Sequence, residues 1–342
     1  MSQIIRDYKS IFVDKEEYPS FIDEYLATRT LKRLQGDTQF CGCDYTKIYN
    51  TRAKYTRYNH SDIVAHMTWH FGHDKIETIK AVLHDHKTPC FAHTIDYYFG
   101  DYLNQEKSEQ YLRDVIVKDK KLKSLLKRDG IEIEEVSNLS DCPILENKTP
   151  RLCTDRLDGV LHTGYIWLQT HTLDTIKDIY DSMKLLKNED GTKEIGFIEE
   201  KQCVNFAEIV SVYAKELQSA RNKYVMMYLS ELIKLAINNR IITLDDLYTK
   251  SESELIRIFS SNFNSWSLFR NATKVLTSAN PVDGRFCVHI ETKRRNTIPL
   301  LQKDGAIDRI TNLSSAARDI YQEIDDYKEK GYGFVKSIKT IN

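Results

Sequence analysis

Long apolar runs are missing from this sequence. The longest, such as 195–198 and 224–229, fall far short of the roughly 20 residues that a membrane-spanning helix requires, so no membrane span is expected. An excess of charge is missing as well: 49 Lys and Arg face 50 Asp and Glu, a formal charge of −1. No global basic field gathers nucleic acid or an anionic surface, and neither is an expected partner. Where a secretory leader has its apolar stretch, this chain carries Arg6, Asp7 and Lys9, and the expected location is cytoplasmic. Seven cysteines, an odd number scattered from 41 to 287, do not read as a disulfide framework in a chain of this size and are expected as reduced thiols. Proline and glycine are scarce, 6 and 13 in 342 residues, which leaves long uninterrupted segments. The 41% of hydrophobic residues suffice for the core of one large domain or two modest ones.

Most of those segments repeat their apolar residues at helical spacing, so the fold class expected is mainly α with a small mixed α/β part at the C-terminus. Ile63, Val64, Met67 and Phe71 form one stripe, which His60 shares; Ile76, Ile79, Val82 and Leu83 form the next, ending near Pro89. His84 and Asp85 then fall at its last turn. Thr172 is a cap for a helix burying Ile176, Ile179, Met183 and Leu186, followed by a polar loop at 187–191. Residues 198–239 read as two long helices, and Ser251 with Glu254 makes a capping box for another. After about 280 the texture changes. Residues 285–293 alternate as a strand does, 314–330 reads as a helix stopped by Gly331, and 334–341 as a second strand. The division drawn is a helical domain over 20–240 and an accessory α/β region over 241–342.

Four histidines, His60, His84, His86 and His93, gather in a short span with Asp85. A buried divalent ion takes imidazole nitrogen and carboxylate oxygen. A polar imidazole on the apolar face of a helix needs a partner, although a satisfied core histidine is the commoner case. Taken together, Arg57-Tyr58-Asn59-His60-Ser61, Leu83-His84-Asp85, Phe91-Ala92-His93 and Thr154-Asp155-Arg156-Leu157-Asp158 resemble the HD superfamily of metal-dependent phosphohydrolases, whose order is H…HD…D. The pattern is most similar to that of the deoxynucleoside triphosphate triphosphohydrolases, the sterile-alpha-motif/HD-containing type among them, and covers roughly residues 30–165. The resemblance implies an HD helical bundle in which His60, His84, Asp85 and Asp155 hold one divalent metal ion, iron, manganese, zinc or magnesium, with Asp158 the competitor of Asp155. It implies Arg57 as a phosphate ligand, Arg156 as either a second one or the structural partner of an aspartate, and His93 with Asp96 as a catalytic pair. A small phosphorylated substrate, a nucleotide, and assembly into a homo-oligomer follow from the same resemblance.

The departures bear on the substrate. Where the triphosphohydrolases follow the HD pair with L-G-H, this chain has His86-Lys87-Thr88; a second family histidine is replaced by Gln105 ahead of Glu106, and an aromatic by Gly159. The function that the resemblance implies remains hydrolysis of a (deoxy)nucleoside triphosphate with release of triphosphate, although these departures do not secure that specificity. The alternatives are a phosphomonoesterase or phosphodiesterase of the same type and a nucleotide- and metal-binding sensor without turnover. Other groupings read as structure. His66, His70 and His73 lack the general-base Glu of a zincin and are expected exposed; Cys41-Gly42-Cys43 lacks further zinc ligands. The lysines of 118–128 form a solvated helix face, and Tyr97, Tyr98 and Tyr102 read as packing. Lys293-Arg294-Arg295 stands where similar enzymes keep basic residues for a regulatory nucleotide, without a firm alignment.

Overall fold

A computed structural model describes residues 1–13, 19–107, 116–339 and 341. The chain is mainly helical. The helices used below are α1 (Gln3–Lys9), α2 (Arg57–Gly72), α3 (Lys75–Leu83), α4 (Thr94–Tyr98), α5 (Lys120–Asp129), α6 (Thr154–His162), α7 (Leu173–Asp181), α8 (Glu200–Gln218), α9 (Ala220–Asn238), α10 (Glu252–Asn262) and α11 (Ser315–Asp326). The strands are β1 (Met183–Lys187), β2 (Lys193–Phe197), β3 (Leu276–Ser278), β4 (Cys287–Val288), β5 (Leu300–Lys303), β6 (Ala306–Arg309) and β7 (Tyr332–Phe334).

α2 is the axis of the fold. Thr56 and Asn59 cap it reciprocally, satisfying two N-terminal donors that would otherwise be unpaired. Instead of one buried stripe it is buried on every side from Asn59 to Thr68. Ile63 and Met67 enter the larger core shared with α6, α8 and α9. Val64 and Ala65 enter a second, with Ile79 and Val82 of α3 and Leu122 and Leu126 of α5. The lysines of α5 face solvent, as its amphipathic pattern predicts. Because α2 is buried all round as far as Thr68, His66 is buried beside Asp62 at 3.4 Å, where exposure was expected; His70, in its last turn, and His73 are exposed.

The helix predicted through Leu186 ends at Asp181, and Met183 and Leu186 belong to β1, which runs antiparallel to β2 with Met183 opposite Phe197. Ile176, Ile179, Met183 and Leu186 continue one helical stripe in sequence, and only the pairing partner shows where it turns extended. β5 then joins β2 in parallel, giving the order β1-β2-β5-β6. This sheet and the larger core, in which Phe206 and Val210 meet Leu301 and Tyr321, both cross residue 240. Within 285–293 only Cys287–Val288 pairs, in the sheet β3-β7-β4, and β7 lies at Tyr332–Phe334, ahead of 334–341. α11 stops at Asp326, before Gly331. The helix capped by Ser251 and Glu254 and the two long helices α8 and α9 form as the sequence indicates.

Candidate metal centre and its cavity

Three chain segments deliver the site. His60 lies one turn into α2, His84 and Asp85 follow the last residue of α3, and Asp155 stands in the first turn of α6. One donor atom each from His60, His84 and Asp155 lies within 4.8 Å of the others. His60 Nε2 is 2.9 Å from Asp155 Oδ1 and 3.2 Å from His84 Nε2, which is itself 3.6 Å from Asp155 Oδ1. Asp85 Oδ2 is 3.9 Å from His84 Nε2. Its carboxylate is shared between Arg57 Nη1, 2.7 Å from Oδ2, and the Thr88 hydroxyl, 2.9 Å from Oδ1.

The tautomers follow from the partners behind the rings. His84 Nδ1 is 2.7 Å from the Ala81 carbonyl, which only accepts, so Nδ1 carries the hydrogen; His60 Nδ1 lies 2.6 Å from Asp158 Oδ2 and donates likewise. Both Nε2 atoms of the neutral rings are then bare lone pairs 3.2 Å apart, facing a carboxylate. That arrangement is repulsive unless a positive charge lies between them. Two imidazole nitrogens and a carboxylate oxygen are a donor set for a divalent transition ion, and the residues fit one. Without an ion a proton serves. Burial lowers the affinity of His60 for a proton, but the hydrogen bonds it donates to Asp155 and Asp158 when charged outweigh it and push its pKa up to about 10. His84 is raised too, against its burial, first by Asp85. Burial would raise Asp85 and Asp155, yet Arg57 chiefly holds the first, and the two imidazoles the second, well below the usual carboxylate range.

The two candidate aspartates of α6 do different things. Asp155 faces the bare imidazole nitrogens, whereas Asp158 sits behind His60, fully buried. It accepts hydrogen bonds from His60 Nδ1 at 2.6 Å and from the Tyr8 and Tyr55 hydroxyls at 2.8 Å each. A carboxylate that orients an imidazole in this way fixes its tautomer and makes it a better ligand. Tyr8 comes from α1, so the N-terminal helix is tied to the site.

The cluster opens into a cavity of about 890 Å³. His93, which lines the same cavity, gives its Nδ1 hydrogen to Asp96 Oδ2 at 3.0 Å, as an i, i+3 pair at the start of α4. Its Nε2 accepts from Arg295 Nη2 at 3.0 Å, and the same guanidinium nitrogen donates to Gln105 Oε1 at 2.9 Å. Arg295 was not among the expected site residues. Its basic neighbours work elsewhere: Lys293 Nζ holds the Asn104 carbonyl, and Arg294 caps the end of α11 at the Asp325 and Tyr327 carbonyls. Arg156 lines the cavity, but its Nη1 and Nη2 bind Glu146, both the side chain and the carbonyl of Asn147, and the Arg151 carbonyl. It braces the 146–151 loop. His86 is buried with Nδ1 on the Leu83 carbonyl at 2.5 Å, and burial pushes its pKa down to about 4, so it is neutral at pH 7 and no substitute acid. Gly159 leaves its wall open, since a side chain there would meet nothing within 4 Å. Trp167, Tyr213 and Met226 line an apolar wall of the same cavity.

The segment that presents His93 is held by a buried acid. Phe91 and Ala92 have φ of +62° and +42°, a conformation costly for residues with side chains. The Phe91 N–H donates to Glu252 Oε1 at 2.9 Å. Glu252 Oε2 accepts from the Tyr45 hydroxyl at 2.5 Å and the Thr38 N–H at 3.1 Å. Burial, then the nearby Asp37, pushes the Glu252 pKa up to about 8. A proton held in the folded state above its ordinary pKa stabilises the fold at low pH, and that contribution disappears as pH rises through the folded value. Stability to urea is expected to fall from about pH 5 to pH 8 and to level off above it, with a shallower fall in Glu252→Gln. An equal fall in both proteins would show that Glu252 does not titrate there.

No family model matches the chain. The uncharacterized protein YdhJ of Bacillus subtilis is 25% identical over 346 residues, an alignment covering 97% of this chain and 99% of that protein. The fold is shared with two solved structures. A hypothetical protein from Aquifex aeolicus superposes with a TM-score of 0.54 at 16% identity, over 91% of this chain and 90% of that one. A phosphohydrolase from Bacteroides thetaiotaomicron superposes with a TM-score of 0.56 at 14% identity, over 92% and 94%. No helix among the described residues is long and apolar enough to cross a membrane.

Proposed function

We propose that this protein is a metal-dependent phosphohydrolase of the HD superfamily that acts on a nucleotide, a (deoxy)nucleoside triphosphate, and releases triphosphate. The observation that carries the reading is the meeting of two bare imidazole nitrogens and the Asp155 carboxylate at a cavity wall. The fold shared with a phosphohydrolase supports it. His60, His84, Asp155 and, beside them, Asp85 would hold one divalent ion. Bound there, such an ion lowers the pKa of water and polarises a phosphoryl oxygen.

The remaining steps belong to the chain's own groups. Arg57, on the cavity side of α2, orients Asp85 and offers its guanidinium to a phosphate. His93, backed by Asp96, protonates the oxygen that leaves phosphorus as water supplies the new P–O bond. Trp167, Tyr213 and Met226 give the organic part of the substrate an apolar surface. The Trp167 indole N–H is buried with no acceptor among the described residues.

Incubation with pooled nucleotides and added Mn²⁺ tests the reading through its products. Inorganic triphosphate with nucleoside is the expected outcome, and the His84→Ala, Asp85→Ala double variant should release neither. Orthophosphate alone would indicate a phosphomonoesterase. Binding without release under any divalent ion would indicate a sensor, and unchanged release by the double variant would contradict the metal centre.

A further inference from the structure

Arg295 enters the cavity from a segment 202 residues beyond His93 and spends a single nitrogen there. Nη2 divides its two hydrogens between His93 Nε2 and Gln105 Oε1. Among the described residues Nε and Nη1 make no hydrogen bond, while both hydrogens of Nη2 are in use. Each edge of a guanidinium that can clamp two oxygens of one phosphate, Nε with Nη2 or Nη1 with Nη2, includes Nη2, so a bidentate phosphate contact requires Nη2 to turn from its present partners. Gln105, its other anchor, is 8% exposed and has φ of +55°. Such a conformation persists in a residue with a side chain only where the surroundings impose it.

His93 cannot act on a leaving group in this arrangement, because its only free ring nitrogen already accepts from Arg295. The groups facing His93 are Asp96 on its own helix, Arg295, Arg57 of α2, and the Cys41 thiol, which lies against its backbone. Burial first, then Arg295, lowers its proton affinity, and Asp96 opposes them.

We infer that Arg295 is a substrate-binding residue for a phosphate group, and that docking of this phosphate draws the guanidinium away from His93 Nε2 and frees that nitrogen for proton transfer. The inference rests on the phosphohydrolase reading for the identity of the anion. A proton from solvent then enters Nε2 and passes to the oxygen leaving phosphorus. Water provides the hydroxyl that replaces that oxygen, and its second proton returns to solvent. A ligand without a phosphate at the Arg295 position leaves His93 occupied, so discrimination against unphosphorylated and short ligands is built into the same contact. Loss of the family's histidine at Gln105 is accommodated as well, since Gln105 accepts from Arg295 and a protonated imidazole would repel it.

The test follows the His93 imidazole by NMR in the metal-loaded protein, with His93→Gln to assign its signal and inorganic triphosphate as the probe. Without triphosphate, Arg295→Gln should raise the proton affinity of His93 about tenfold, one pH unit, because a neighbouring cation has gone. Triphosphate should raise the His93 midpoint in the wild type, and its affinity should fall at least about tenfold in Arg295→Gln, as befits a lost charge-assisted phosphate contact. Arg295→Lys, which keeps the charge without the fork, should restore the midpoint of the free protein but only part of the affinity. An unchanged His93 midpoint in Arg295→Gln, or undiminished triphosphate affinity, overturns the inference. Neither readout requires turnover. Coupling without hydrolysis would defeat the proposed function and leave the inference standing, and hydrolysis without coupling would do the reverse.

Discussion

Asp155→Ala is expected to abolish hydrolysis while leaving the fold intact. Its carboxylate is the one oxygen donor facing both bare imidazole nitrogens, at 2.9 and 3.6 Å, and a third of its side chain is exposed toward the cavity. Removing it deletes a ligand without opening a hole in the core. A bound metal supplies several kcal/mol of charge stabilisation in phosphoryl chemistry, so the loss should be about a thousandfold or more in kcat. Thermal stability of the metal-free protein should fall modestly, because the buried His60 and His84 imidazoles lose the carboxylate that faces their Nε2 atoms. Retained activity with retained metal would remove Asp155 from the centre and leave the site without an oxygen donor between its imidazoles.

Asp158 should behave in the opposite way, with stability and metal affinity falling together. The carboxylate is fully buried and accepts from His60 and two tyrosines. Asp158→Ala strands three buried donors, each costing about 1–3 kcal/mol, a sum comparable with the whole stability of a typical domain. Asp158→Asn keeps the volume and one acceptor oxygen, so it should fold, with a loss of about 2 kcal/mol. Because the imidazole loses the charged partner that orients it, metal affinity should drop about 10–100-fold. Urea unfolding and a metal titration of Asp158→Asn separate the two effects. Unaltered affinity would mean that Asp158 serves only the core. Tyr8→Phe and Tyr55→Phe, which remove one donor each, should fall between this variant and the wild type.

What could be foreseen depended on how local the signal was. His60, His84, Asp85 and Asp155 were expected together because the order of their short motifs resembles a known family's, where spacing alone would have left them as core residues; the structure brings donors of His60, His84 and Asp155 together, with Asp85 beside them. The His93–Asp96 pair was visible for the same reason, as an i, i+3 spacing. Arg295 was not, because its partners lie 190 and 202 residues away and its basic neighbours, Lys293 and Arg294, point to a loop and a helix end. Asp158 was visible as a rival ligand. Its place behind His60 is decided by which ring nitrogen faces which aspartate, a matter of side-chain geometry. Glu252 gave no sequence signal of its own beside the Ser251 and Glu254 capping box, and its hold on Phe91 spans 161 residues. In the fold, the helical stripe that runs through Met183 and Leu186 hides a short strand whose pairing with β2 is set by residues across a turn.

His60, His84, Asp85 and Asp155 are proposed to form one divalent metal centre, and the metal content of the protein as purified, wild type beside Asp85→Ala and Asp155→Ala, tests this most directly. About one transition metal ion per chain is expected in the wild type, with a large loss in both variants. A wild type that holds no metal even after incubation with Mn²⁺, Fe²⁺ or Zn²⁺, or variants that hold as much as the wild type, would contradict it.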